Sequence, residues 1–148
     1  MENKIRPLSY SDKNTASQFK DLKAGHVAIR TTEYDAIIKW YKDKLDFRLI
    51  REWEVGEIQL AFIAPPNDNN FLIEILGVKG IKANDYKDLQ IGYDHLCFNV
   101  ENLELTLKEL SERNVIPVRC FKVPAIGKSV AFFSDPFGNT IELSEDII

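Results

Sequence analysis

The sequence predicts an α+β fold made of two βαβββ modules in tandem, on three observations. One order of periodicities (strand, helix, strand, strand, strand) runs through the chain twice. Each run opens on one of the only two histidines present. Each closes on a glutamate at nearly the same distance, Glu74 lying 48 residues after His26 and Glu142 lying 47 after His95. A repeat that returns ligand-type residues at matched positions can bring them together about a pseudo-two-fold axis. Two imidazoles and two carboxylates form a mixed nitrogen and oxygen set suited to a divalent first-row metal.

The first module begins with a strand over residues 24–30 (AGHVAIR). A helix follows over 33–45, where apolar residues at 34, 37, 38, 41 and 45 mark one helical face. Three strand-like runs cover 47–54, 58–64 and 71–76, and a PPNDNN turn separates the last two. In the second module the strand covers 93–100 and the helix 103–113, with Leu103, Leu107 and Leu110 on one face. Strands over 115–123, 128–134 and 140–144 complete it. The DPFGN turn at 135–139 joins the last two, with a proline of fixed φ and a glycine free to take positive φ. Residues 77–91 carry glycine and charge without periodicity and are expected to link the modules. Both histidines are expected in opening strands and both glutamates in closing strands. Leu72 and Leu76 should share the face of Glu74, with Ile73 and Ile75 opposite, and Ile141 and Leu143 should lie opposite Glu142. An ionised carboxylate in so apolar a surround needs a cation, and Arg30 and Lys128 are the candidates besides a metal. Trp40 and Tyr41 are expected to pack the first helix on its sheet, while Trp53 and Phe62 fit either core or pocket wall.

At 148 residues the chain suits one domain, or two halves that share a core, and is too short for two independent domains. A net charge of -4 and the lack of a basic patch count against a nucleic-acid surface. There is no apolar stretch of signal-peptide or membrane-spanning length, so a cytoplasmic, soluble chain without a membrane partner is expected. Cys97 and Cys120 are too few for a disulfide framework, and each sits in an apolar run where a buried thiol would pack as a small hydrophobe. Residues 1–22 are polar and mixed in charge and are expected to form an N-terminal arm, one that would cross a dimer partner. The remainder, 23–148, is expected to be a single domain of two modules at about 24–77 and 92–146.

The segments HVAIRT, WYKDKLDFRLI, FLIEIL, DHLCFNV and VAFFSDPFGNTIEL together resemble the vicinal oxygen chelate superfamily, which includes glyoxalase I, methylmalonyl-CoA epimerase, extradiol dioxygenases, fosfomycin-resistance enzymes and bleomycin-binding proteins. The resemblance covers about residues 24–146. It implies a half-barrel of sheet around a metal with the helices outside, and a homodimer in which modules pair across the interface. It places His26, Glu74, His95 and Glu142 on the four ligand positions of the glyoxalase I type. Nickel, cobalt or zinc is then the expected ion, with manganese or iron as alternatives.

Carried over from that family, Glu142 is the catalytic base and Glu74 its counterpart, and Arg30 matches an arginine that holds the substrate carboxylate. The chain departs from the pattern four residues after Glu74. Glyoxalase I has an asparagine there, and Val78 cannot replace its amide hydrogen bonds. The resemblance therefore implies a metal-dependent lyase or isomerase acting through an enediolate or enolate on a small 2-oxo or thioester substrate, like lactoylglutathione lyase. A methylmalonyl-CoA epimerase-like isomerase, an extradiol dioxygenase and a non-catalytic antibiotic-binding protein are the alternatives. The oxygenase and fosfomycin branches use two histidines and one carboxylate, which would leave Glu74 unexplained, and this chain has no further histidine for a dioxygenase to use.

Overall fold

The computed structural model describes residues 4–21, 24–80 and 93–147. It contains the two βαβββ runs. The first comprises β1 (His26–Thr31), α1 (Tyr34–Leu45), β2 (Arg48–Val55), β3 (Ile58–Ala64) and β4 (Leu72–Gly77). The second comprises β5 (Leu96–Asn99), α2 (Leu103–Glu112), β6 (Arg119–Val123), β7 (Lys128–Ser134) and β8 (Thr140–Asp146), with a short 3-10 turn at Pro124–Ile126.

Each module forms its own four-stranded mixed sheet with the same order, β1-β4-β3-β2 in one and β5-β8-β7-β6 in the other. In each, the closing strand returns beside the opening strand and runs parallel to it, while the other pairs are antiparallel. Parallel neighbours cannot be joined by a tight turn. The helix and the intervening hairpin supply the crossover, which is why each opening residue lies so far in sequence from its closing partner.

Strand alternation divides each sheet into a core face and an open face. In β4, Ile73, Ile75 and Gly77 are buried, while Leu72, Glu74 and Leu76 are half-buried on the other side. The core face lies under α1, whose Tyr34, Ile37 and Tyr41 are buried at the predicted spacing. Trp40 is only half-buried, its ring edge-on to Tyr41 at 5.1 Å. The second module repeats the scheme, with Ala131, Phe133, Ile141 and Leu143 buried on the face served by Leu103 and Leu110 of α2. The side chain of Asn102 caps α2 by accepting from the Leu105 amide at 2.9 Å. The DPFGN turn is tied by Asp135, whose Oδ1 accepts from the amides of Phe137 and Asn139 at 2.9 Å each.

Several expectations are corrected. His95 lies one residue before β5 rather than within it. Residues 115–118 are not strand, and Pro117, which has no amide hydrogen to give a ladder, delays β6 to Arg119. Gly77 belongs to β4, and residues 81–91 of the expected linker lie outside the described residues. Cys97 and Cys120 are both exposed, because Cys97 falls on the open face of an edge strand and Cys120 lies on the other edge strand of that sheet.

The polar N-terminal segment is divided between two compact units, Met1–Lys13 joining Tyr86–Ile148 and Asn14–Asp85 forming the other. In the former, the Arg6 amide donates to the Pro124 carbonyl at 2.8 Å, and Pro7 lies against Gly127. Among the described residues no helix is long and apolar enough to cross a membrane.

Candidate metal centre

Each sheet has one rung that crosses all four strands with matching chemistry. In the first module it runs Ala28, Glu74, Phe62, Arg51, and in the second Cys97, Glu142, Phe132, Arg119. The histidine stands two residues before Ala28 or Cys97, so strand alternation turns it to the face of the glutamate. His26 Nε2 lies 3.2 Å from Glu74 Oε2, and His95 Nε2 lies 2.7 Å from Glu142 Oε2. The carboxylates are the more enclosed partners, with side-chain exposures of 17% for Glu74 and 14% for Glu142. The predicted faces are as found, since Ile73, Ile75, Ile141 and Leu143 all lie on the core side.

The aromatic member of each rung forms a wall behind its pair. The Phe62 ring stands 5.3 Å from that of His26, and the Phe132 ring 5.4 Å from that of His95. Trp53 adds to the first wall at 4.8 Å from Phe62, which places both residues at the open face. In the second, Phe121 stacks on Phe132 at 5.9 Å and the Arg119 guanidinium lies over Phe132 at 4.5 Å. Arg119 is exposed, and the sequence reading passed over it and the Phe132 wall, while Trp53 and Phe62 prove to be wall rather than core, the two alternatives expected for them. The signal was present in the aligned segments LAFI and VAFF, which put Phe62 and Phe132 at one repeat position.

The cations behave differently from expectation. Lys128 is paired with Asp146, which holds the ammonium pKa above its ordinary value. Arg30 lies on the face of His26, level with Leu76, and is exposed. Partial desolvation against the sheet pushes the pKa of the exposed Cys97 thiol up, the neighbouring Glu142 carboxylate adds to the shift, and Lys128 opposes it.

The residue types of both pairs suit a divalent cation, and the spacing of the first matches one. Ligands about 2.1 Å from one ion and roughly 90–110° apart stand about 3.0–3.4 Å from each other, a range that holds the 3.2 Å of His26 and Glu74, whereas the 2.7 Å of His95 and Glu142 is hydrogen-bond length and would have to open by a few tenths of an ångström. A hydrogen bond at either contact needs a proton on the ring nitrogen, and an ion held by the same two atoms takes that proton's place. What each module holds by itself is a pair: the described residues contain no group of three or more His, Cys, Asp or Glu side chains that could hold an ion.

Residues 23–143 match the Glyoxalase/Bleomycin resistance protein/Dioxygenase superfamily, and the chain belongs to that superfamily. Among its relatives, the uncharacterised protein YwkD of Bacillus subtilis is 28% identical over 123 residues, covering 81% of this chain and 94% of that protein. The probable chloroplastic lactoylglutathione lyase of Arabidopsis thaliana is 30% identical over 124 residues, covering 81% of this chain and 35% of that enzyme. This chain likewise spans 46% of the Schizosaccharomyces pombe lactoylglutathione lyase, at 27% identity. It is thus matched to less than half the length of either lyase. Among solved structures, a glyoxalase family protein from Enterococcus faecalis has a TM-score of 0.70 at 28% identity, covering 83% of this chain and 97% of that one. Glyoxalase I from Zea mays has a TM-score of 0.68 at 22% identity, with 85% and 45% covered, a likeness of fold alone.

Proposed function

We propose that this chain is a metal-dependent lyase or isomerase that moves a proton between carbons of a small 2-oxo or thioester substrate, as lactoylglutathione lyase does. The observation that carries the reading is the matched His–Glu pair in each module, in direct contact on the open face and backed by an aromatic wall. His26, Glu74, His95 and Glu142 would hold the ion, and nickel, cobalt or zinc suits their two nitrogens and two carboxylates, with manganese or iron as substitutes. When bound, the ion supplies Lewis-acid polarisation of two neighbouring substrate oxygens.

The chain's own groups do the rest. Glu142 is assigned the base that takes a proton from the carbon beside the substrate carbonyl. Delivered to the neighbouring carbon, that proton completes an isomerisation in which one C–H bond breaks, another forms and no oxidant is consumed. Glu74 is the second carboxylate, and in an epimerase it would be the group that returns the proton. The Phe62 and Phe132 walls limit water beside the two carboxylates, which strengthens their electrostatic action. Arg30, exposed on the same face as His26, suits an anionic end of the substrate.

Val78 favours a substrate other than a glutathione conjugate. Its amide is engaged with the Thr31 carbonyl at 2.9 Å, and its side chain offers no polar atom. The reading also implies a small-molecule partner, a homodimer and a cytoplasmic location.

Metal analysis of the purified chain, followed by a methylglyoxal and glutathione assay with added nickel, cobalt or zinc, tests the reading. Turnover abolished in Glu142→Gln while metal is retained supports it. A panel of 2-oxo compounds and acyl-CoA thioesters extends the assay if glutathione conjugates are inert. Refusal of every divalent metal would sink it in favour of a sequestering protein, and oxygen uptake with catechols would favour a dioxygenase.

A further inference from the structure

The two half-sites differ in how their histidines are held. His95 uses both ring nitrogens: Nε2 meets Glu142 Oε2 at 2.7 Å and Nδ1 meets Asp94 Oδ2 at 2.7 Å. An ionised carboxylate can only accept, so each contact calls for a proton on its ring nitrogen, and an ion held between Nε2 and Glu142 would replace the proton there while the Nδ1 proton stays with Asp94. His26 has the same Nε2 contact, longer at 3.2 Å, but the residue before it is Gly25, which has no side chain to accept from the ring. Sequence position makes the difference, since the residue preceding an opening-strand histidine is near enough to reach back to its ring.

We propose that Asp94 is a positioning residue that fixes the tautomer and ring orientation of His95 so that Nε2 faces the ion, making the second module the stronger of two unequal half-sites. The proposal rests on the metal reading given above. A ring nitrogen that donates to a carboxylate leaves the other nitrogen as the lone-pair donor, with its basicity raised, and loss of such a partner typically weakens metal binding 10- to 100-fold. The pair contributes little to folding, because Asp94 is 76% exposed and His95 32% exposed in their side chains. Removal of Asp94 should therefore lower metal affinity without unfolding the chain, an outcome that a merely structural aspartate would not produce.

Two histidines in the whole chain make the test direct, since long-range proton–nitrogen spectra of histidine-labelled protein contain only two ring patterns. With zinc bound, the wild type should show His95 protonated at Nδ1 and ligated through Nε2. Zinc competition titrations of Asp94→Ala should give an affinity lower by about 10- to 100-fold at an unchanged melting temperature. The His95 pattern should alter and the His26 pattern should not. Asp94→Asn keeps an acceptor without the charge and should recover part of the loss. A Cβ at Gly25 would meet no atom within 4 Å, and its φ is not positive, so Gly25→Asp can be accommodated and should give His26 the Nδ1-protonated pattern. Zinc affinity of Asp94→Ala within about twofold of a zinc-binding wild type, against the loss expected above, would overturn this proposal alone. A wild type that takes up no zinc, cobalt or nickel would overturn it together with the metal reading.

Discussion

Tyr34 shows how one side chain ties the first module together. It is 7% exposed, and its hydroxyl donates toward the Leu60 carbonyl at 3.0 Å and Glu52 Oε1 at 3.1 Å. Burial, and then the hydrogen bond to the Glu52 carboxylate, push its pKa up to about 12 from an ordinary value of 10.0. Because the folded value lies above the unfolded one, the contribution to stability is fully present below about pH 10 and is lost as pH rises through about 12. A shift of this size corresponds to roughly 2–3 kcal/mol. Urea unfolding at pH 8 and pH 11 should show about half of that loss in the wild type, since pH 11 lies midway between the two values, and a smaller one in Tyr34→Phe. The late phenolate absorbance step should disappear in the same variant. The sequence placed Tyr34 on the buried helix face through its spacing from Ile37 and Tyr41, but the hydroxyl partners depend on where β2 and β3 fall in space.

At the scale of elements, the closest approach of α1 to its sheet is at the end of β4. A Cβ built on Gly77 would lie 2.9 Å from both Cβ and Cδ2 of Tyr34, so glycine lets the helix settle on the strand. Gly77→Ala should destabilise the chain by about 1–3 kcal/mol through overpacking, read as a lower urea midpoint at unchanged slope. Placing Gly77 in a linker from sequence was therefore an error of context: glycine reads as a breaker in isolation and as a packing residue here. Strands β3 and β7 were legible to the residue because their apolar runs are bounded by turn residues on both sides. The start of β6 was not, since apolar residues 115–118 are equally compatible with strand and loop until Pro117 is seen to interrupt the ladder.

On the scale of the whole molecule, the N-terminal segment touches the second module at Arg6, whose amide donates to the Pro124 carbonyl, and at Pro7, which lies against Gly127. Gly127 takes φ 66°, and a Cβ there would lie 2.9 Å from the Pro7 Cα. Gly127→Ala, or removal of residues 1–13, should therefore loosen this end of the module. Hydrogen exchange should quicken at the Gly127 amide, which donates to the Pro124 carbonyl at 3.2 Å, and along β7, with β3 of the other module unaffected. Slower or unchanged exchange in both variants would contradict the close packing.

By itself, the sequence determined the tandem βαβββ order, the faces of Glu74 and Glu142 and the superfamily, because strand and helix periods and the distance from His to Glu are properties of the chain read in line. Only the tertiary structure decided that each histidine meets its own module's glutamate, that Phe62 and Phe132 stand behind those pairs, that Arg119 lies over Phe132 and that Asp94 holds His95 alone. The first three depend on strand register and on side-chain direction across neighbouring strands, contacts between residues up to about fifty positions apart, and the last on the direction of the His95 ring beside its neighbour in sequence. A one-residue slip in pairing would have turned the cross-strand partners to opposite faces.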